Sequence, residues 1–264
     1  MNNLMSNKKG LIMGVANDHS IAWGIAEALH NAGAELAFTY QGEAFGKRVI
    51  PLAESLGSKV VLDCDVTNES DLDRVFADLH KQVGKIDFIV HAVAYSNKEE
   101  LKGRFCDTTL DNFLNTMHIS CYSWMSVARR AAAIMNPGGS MVTLSYIGSE
   151  RVIPNYNVMG VAKAALEAST RYLAADFGPQ GLRVNTISAG PMRTLAGSAI
   201  GSARRTFKTA ENTTPLHRSL ELSEIGNAAL YLLSPLSSGV TGELHYVDCG
   251  FHAMGMEPHG GGEE

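Results

Sequence analysis

Residues 11–26 read Leu-Ile-Met-Gly-Val-Ala-Asn-Asp-His-Ser-Ile-Ala-Trp-Gly-Ile-Ala. The apolar triplet Leu11-Ile12-Met13 suits a buried strand, Gly14 ends it, and an amphipathic helix follows Ser20. Strand, glycine and helix in that order open a βαβ unit, and the rest of the chain repeats the alternation. Strand-like segments recur at 36–38, 60–62, 86–90, 141–144, 182–187 and 244–247, several of them apolar on both faces, as parallel strands between helix layers should be. Helix-period stripes lie between them: Phe45, Val49, Leu52 and Leu56; Leu72, Val75, Phe76, Leu79 and Val83; Ile225, Ala228, Ala229, Leu232 and Leu233. This pattern predicts a single α/β domain over residues 1–264, a Rossmann-like doubly wound parallel sheet of about seven strands flanked by helices.

Composition narrows the function classes. Twenty-two Lys plus Arg against 27 Asp plus Glu give a net charge of −5, which argues against nucleic acid as the main partner because phosphate binding needs a basic face. Cys64, Cys106, Cys121 and Cys249 lie at least 15 residues apart, without metal-ligand spacing, so we expect no metal site and a reduced, cytoplasmic chain. The opening MNNLMSNKKG lacks the apolar stretch of an export signal. The longest uncharged run, 131–149, carries Pro137-Gly138-Gly139 at its centre and reads as helix, turn and strand, so no membrane span is expected. Residues 189–215, irregular and rich in Gly, Ser and Thr, directly follow a strand and form a candidate substrate lid, while 254–264 read as a flexible tail.

A dinucleotide loop usually carries three glycines, so that the backbone turns tightly and meets the pyrophosphate at a helix N-terminus. Here Gly14 and Gly24 remain, with Ser20 placed to cap the helix and offer its hydroxyl to a phosphate. Alone, this segment fits a plain strand-turn-helix as well as a phosphate cradle. After the second strand stands Gln41, with Glu43 two residues on and the nearest cations, Lys47 and Arg48, inside a helix. That set favours NADH over NADPH. Asp65-Val66 and His91-Ala92-Val93 end the next two strands, where adenine and ribose would lie. Asp65 either meets the cofactor or caps its own loop, and His91 reads as a hydrogen-bonded structural histidine.

Past the fifth strand, Ser145-Tyr146 precede a helix that is expected to begin near Asn155. Tyr156 and Lys163, seven residues apart, then fall on one helical face. A phenol is a protonated donor at neutral pH, and an ammonium beside it can hold ribose hydroxyls and strengthen that donor. In isolation the pair is better read as an interfacial tyrosine and a solvated lysine.

Taken together, Ser145-Tyr146, Tyr156-x6-Lys163, the Gly14-x5-Ser20-Ile21-Ala22 loop and the run Arg183 through Thr194 resemble the bacterial enoyl-[acyl-carrier-protein] reductases of the short-chain dehydrogenase/reductase superfamily. The resemblance runs from Gly10 to about Ala253. It implies NADH-dependent reduction of the trans-2 double bond of an enoyl thioester on acyl carrier protein, the last reductive step of type II fatty-acid elongation, by a homotetramer. It also implies that Tyr156 donates to the enolate oxygen, Lys163 holds the nicotinamide ribose and Tyr146 lines the site as a second catalytic tyrosine. The family's NAD contacts fall on Gly14, Ser20, Ile21, Gln41, Asp65, Val66, Val93, Lys163, Met192, Arg193, Thr194, Leu195 and Ala196, and a substrate contact on Ser96. The chain departs from the family at 91–96, where His-Ser-Ile-Gly/Ala-Phe-Ala is usual, and at 97–106.

Two alternatives compete with this reading. A ketoreductase or alcohol dehydrogenase of the superfamily needs a tyrosine four residues before the lysine, where Met159 stands. A non-catalytic dinucleotide sensor typically lacks the Tyr and Lys that are present here. Arg204, Arg205 and Lys208, a basic trio in the candidate lid of an acidic chain, are either a docking patch for the acidic carrier protein or a solvated helix face.

Overall fold

A computed structural model describes residues 3–192 and 211–256. Its centre is one parallel sheet of seven strands: β1 (Lys9–Met13), β2 (Glu35–Tyr40), β3 (Val61–Asp63), β4 (Ile86–His91), β5 (Met135–Ser145), β6 (Arg183–Ala189) and β7 (Leu244–Val247). They lie in the order β3-β2-β1-β4-β5-β6-β7. Strand order reverses between β1 and β4, the switch point that opens a ligand crevice at the carboxyl ends of such sheets.

The pleat divides the core. Ile12, Phe38, Phe88, Val90 and Ile187 face one helix layer, made by α1 (Ile21–Asn31), α2 (Gly42–Ser55) and the C-terminal α7 (Leu222–Leu233). Leu11, Met13, Ala37, Ile89 and Val184 face the other, made by α3 (Glu69–Val83), α5 (Ser123–Ile134) and α6 (Val158–Phe177). A short helix, α4 (Leu110–Met117), joins α5 through a π turn at His118–Tyr122. Every residue of β4 and β6 is buried, including the polar Asp87, His91, Arg183, Asn185, Thr186 and Ser188.

Helices α1 and α7 touch backbone to backbone. A Cβ on Gly226 would stand 2.6 Å from the Gly24 carbonyl oxygen, and one on Gly24 would stand 2.9 Å from Leu222 Cβ. Gly24, read from sequence as a remnant of the dinucleotide loop, therefore serves this crossing. Buried Arg183 of β6 fastens the other end of α7 by donating to the carbonyls of Leu232 (2.8 Å) and Ser234 (3.1 Å).

Three local expectations need correction. The α2 stripe is narrower than read: Val49 is buried, but Leu52 and Leu56 are half-covered and Phe45 is exposed, because α2 lies at the β2–β3 margin of the sheet. The run 131–149 has no separate turn. β5 starts directly after α5 and carries Pro137-Gly138-Gly139 as an irregular opening, where its register against β4 jumps from Met135 to Ser140. Helix α6 begins at Val158, so Tyr156 sits in the preceding turn and not on the face of Lys163. Asn155 and Asn157 carry φ of +62° and +41°, values that asparagine tolerates better than most residues and that interrupt the helix there.

Candidate active site

The expected cofactor contacts follow the sheet in register. Gly14, Ser20 and Ile21 come after β1, Gln41 after β2, Asp65 and Val66 after β3, Val93 after β4 and Met192 after β6, all beyond carboxyl ends. Arg193, Thr194, Leu195 and Ala196, with Arg204, Arg205 and Lys208, lie outside the described residues, as does most of the candidate lid and, from residue 257, the tail.

Gly14 is required twice over. Its φ is +98°, and a Cβ there would stand 2.1 Å from the Ala92 carbonyl oxygen, so β1 and the chain leaving β4 meet closely at the switch point. Ser20 occupies the N-cap position of α1 but makes no capping bond. Its hydroxyl turns back into the loop, accepting from the backbone N–H of Ala16 (3.0 Å) and Asn17 (3.1 Å) and donating to Asn17 Oδ1 (3.2 Å). The expected cap is thus a loop brace, and no side chain stands between α1's leading N–H groups and an anion.

Asp65 caps its own loop, as one of its two readings foresaw. Burial pushes its carboxyl up, but hydrogen bonds from Thr67 N–H (2.9 Å), Thr67 Oγ1 (2.7 Å) and the Gln41 side chain outweigh this and hold it below the usual carboxylate range. It therefore caps its own loop while staying ionised and half-exposed at the crevice, beside Gln41. Asp63 accepts from Gly42 N–H at 2.8 Å. This acidic, amide-lined end suits a ribose diol and opposes a 2′-phosphate. The glycine-forced approach, uncapped helix and Gln41–Asp65 pair together fit a dinucleotide with an unphosphorylated adenosine ribose.

His91 is structural. Its ring nitrogens meet Thr143 Oγ1 (3.1 Å) and Ser123 Oγ (2.9 Å), and complete burial, with the Lys163 charge adding to it, pushes its pKa down to about 3. Ser96 is held within a polar cluster, its hydroxyl accepting from Thr116 Oγ1 at 2.8 Å and Asn112 Nδ2 at 3.2 Å.

The chemical end lies where β5 meets α6. Tyr146 follows the last residue of β5, and its ring meets that of Tyr156 edge-on, centroids 5.0 Å apart at 78°. Gly148 seats Tyr156: a Cβ there would fall 2.4 Å from the Tyr156 ring. Burial pushes the Tyr146 phenol up to about 12 and the Tyr156 phenol well above the ordinary range, so both are donors across the physiological span. Lys163 is buried, donates to the Leu144 carbonyl at 2.7 Å, and is pushed down to about 8 by that burial. Met159, where a ketoreductase needs its acid, is buried and accepts a weak bond from Ser120 Oγ (3.8 Å). Sequence reasoning missed Glu167, a buried acid that accepts a short hydrogen bond from Ser145 Oγ. Its position four residues past Lys163, on the same helical face, was the available signal.

A family model described as enoyl-(acyl carrier protein) reductase matches residues 14–252. The chain belongs to this family. A relative from Rhizobium meliloti, named enoyl-[acyl-carrier-protein] reductase [NADH] 2, is 59% identical over 97% of this chain and 96% of its own length. The crystal structure of the Anaplasma phagocytophilum reductase in complex with NAD superposes with a TM-score of 0.94 at 52% identity, covering 100% of this chain and 99% of that one. The Bacillus cereus reductase, solved with NADP+ and an indole naphthyridinone, gives 0.94 at 48% identity over 96% and 99%. Both the expected fold class and the resemblance drawn from the motifs are therefore borne out. Among the described residues no helix is long and apolar enough to cross a membrane.

Proposed function

We propose that this enoyl-[acyl-carrier-protein] reductase uses NADH to saturate the trans-2 double bond of an enoyl thioester carried on acyl carrier protein, within type II fatty-acid elongation. Family membership supports the reaction, and the observation that carries the site is the corner beyond β5 where the Tyr146 and Tyr156 rings pack together and Lys163 is tied to the Leu144 carbonyl.

Bound NADH supplies the hydride for the β-carbon. The protein's task is then the charge that develops on the thioester oxygen. Tyr156, a phenol kept protonated by burial, donates to that oxygen, and one such donor is worth on the order of 3 kcal/mol in the transition state. Edge-on packing by Tyr146 and the seat at Gly148 fix the Tyr156 ring, so little reorganisation accompanies reaction. Lys163, tethered to Leu144, holds the nicotinamide ribose, while Gly14, Ser20, Ile21, Gln41, Asp65, Val66, Val93 and the segment from Met192 to Ala196 hold the rest of the dinucleotide. Ser96 borders the acyl chain.

The same proposal takes Arg204, Arg205 and Lys208 as the docking patch for the acidic carrier, supported by their clustering in a chain of net charge −5. It includes a homotetramer, to be checked by sedimentation, and a cytoplasmic enzyme, consistent with four free cysteines. Purified protein is offered NADH with crotonyl or acetoacetyl thioester while reduced-cofactor absorbance is followed. Oxidation with the crotonyl substrate is expected, and oxidation with the β-keto substrate alone overturns the reading.

A further inference from the structure

Two consecutive residues of β5 are each held by α6. Lys163 Nζ donates to the Leu144 carbonyl at 2.7 Å, and Ser145 Oγ donates to Glu167 Oε1. Tyr146 comes next. Lys163 and Glu167 are four residues apart on one helix and are each only 7% exposed, so the pair shares a face turned into the protein. A buried ammonium without a compensating charge is costly and tends to lose its proton.

The groups around Lys163 leave one source of compensation. From β4, His91 is neutral at physiological pH. From the π turn before α5, the Cys121 thiol is pushed up by burial and stays protonated. Tyr146 and Tyr156 are neutral phenols. Glu150, beyond the β5 turn, is exposed, is engaged by the Tyr246 hydroxyl of β7, and acts on Glu167 and not directly on Lys163. Glu167 is the carboxylate whose field reaches Lys163, and it also bears on Tyr156. Burial raises the Glu167 carboxyl above its ordinary value, opposed by the hydrogen bond from Ser145 and by the Lys163 charge. The Ser145 hydroxyl can donate to Glu167 Oε1, and an ionised carboxylate can only accept.

We propose that Glu167 is a positioning residue of the reductase: anchored on Ser145, its carboxylate is the buried counter-charge that keeps Lys163 protonated and fixed to the end of β5 beside Tyr146. The inference rests on the reading that Lys163 serves the reductase reaction. A Lys163 without this partner would lose its proton at lower pH, and its hold on a ribose diol would weaken with it.

The test reads Lys163 directly. Protein labelled with 13C-lysine is titrated by NMR, the Lys163 Cε signal being assigned by its loss in K163R. In the wild type, burial is expected to bring its midpoint down to about 8. In E167Q, which keeps the shape and can still accept from Ser145, the midpoint is expected to fall by on the order of one pH unit, the effect of removing one buried charge from the same helical face. The alkaline limb of kcat/KM for crotonyl thioester should fall with it. S145A, which frees the carboxylate while keeping its charge, is expected to give a smaller shift in the same direction. An unmoved midpoint in E167Q overturns the inference, and should E167Q not fold, an unmoved midpoint in S145A does so. The titration needs no turnover, so a wild type inactive on crotonyl thioester would sink the reductase reading while the NMR midpoint still decided the role of Glu167.

Discussion

The dinucleotide loop after β1 and the catalytic corner after β5 stand at the same end of one sheet but are stabilised in opposite ways. The loop is braced by its own backbone: Gly14 takes a conformation few residues allow, and Ser20 binds amides three and four positions away. The corner is braced by side chains that reach across elements, Lys163 to Leu144 and Glu167 to Ser145, and by rings packed at 78°. The loop stays half-open to solvent, whereas burial moves the corner's phenols and lysine far from their ordinary titration. The region proposed to admit and release a cofactor is held by backbone geometry and short-range hydrogen bonds, and the one proposed to meet developing charge is buried, with its groups prepared before the substrate arrives.

Substitutions can break this contrast, and the largest effect is expected at Tyr156. In Y156F the ring keeps its seat against Gly148 and Tyr146 while the donor is lost. We expect kcat/KM to fall roughly 100-fold. Affinity for NADH, measured by fluorescence titration, should stay within about twofold, and a change mainly in cofactor affinity would transfer Tyr156 to the other region. Next comes Gly14→Ala, which adds a Cβ at positive φ into the Ala92 carbonyl. A cost of about 2–3 kcal/mol follows from strain plus overpacking, hence a Tm lower by roughly 5–10 °C in a domain of this size, together with weakened NADH binding. An unchanged Tm would show that the loop is not set by geometry. Ser20→Ala should have the smallest effect, about 1 kcal/mol in stability and a few-fold in NADH affinity, with kcat preserved, because only a local brace is removed. Calorimetry and single-turnover rates separate these outcomes.

The same contrast governs what was legible in the sequence. All seven strands were readable: β1, β2, β4 and β5 by apolar runs buried on both faces, and β3, β6 and β7 by shorter apolar segments at the expected spacing. Gly14, Gln41 and Asp65 were readable because local turns and strand ends fix them. At the corner, residue identities were readable but not their arrangement. Seven-residue spacing put Tyr156 on a helical face, but the positive φ of Asn155 and Asn157 delays the helix until Val158, and the phenol is aimed by a turn. Glu167 went unread: its place four residues past Lys163 marks a shared helical face, but not that the carboxylate is buried against a strand 22 residues away. Gly24 was assigned to the wrong task for the same reason, its partner being Gly226.

That crossing of α1 and α7 also sets an order in time. The groove that receives α1 is lined by residues near the end of the chain, so during synthesis the cofactor loop emerges attached to a helix whose seat has not yet been made. Closing so long a stretch of chain is entropically slow, and until α7 docks, the apolar face of α1 is open to other chains. The loop before α1 therefore depends on a helix far downstream in the sequence, and a nascent chain cut short before α7 would carry the loop without the support that shapes it.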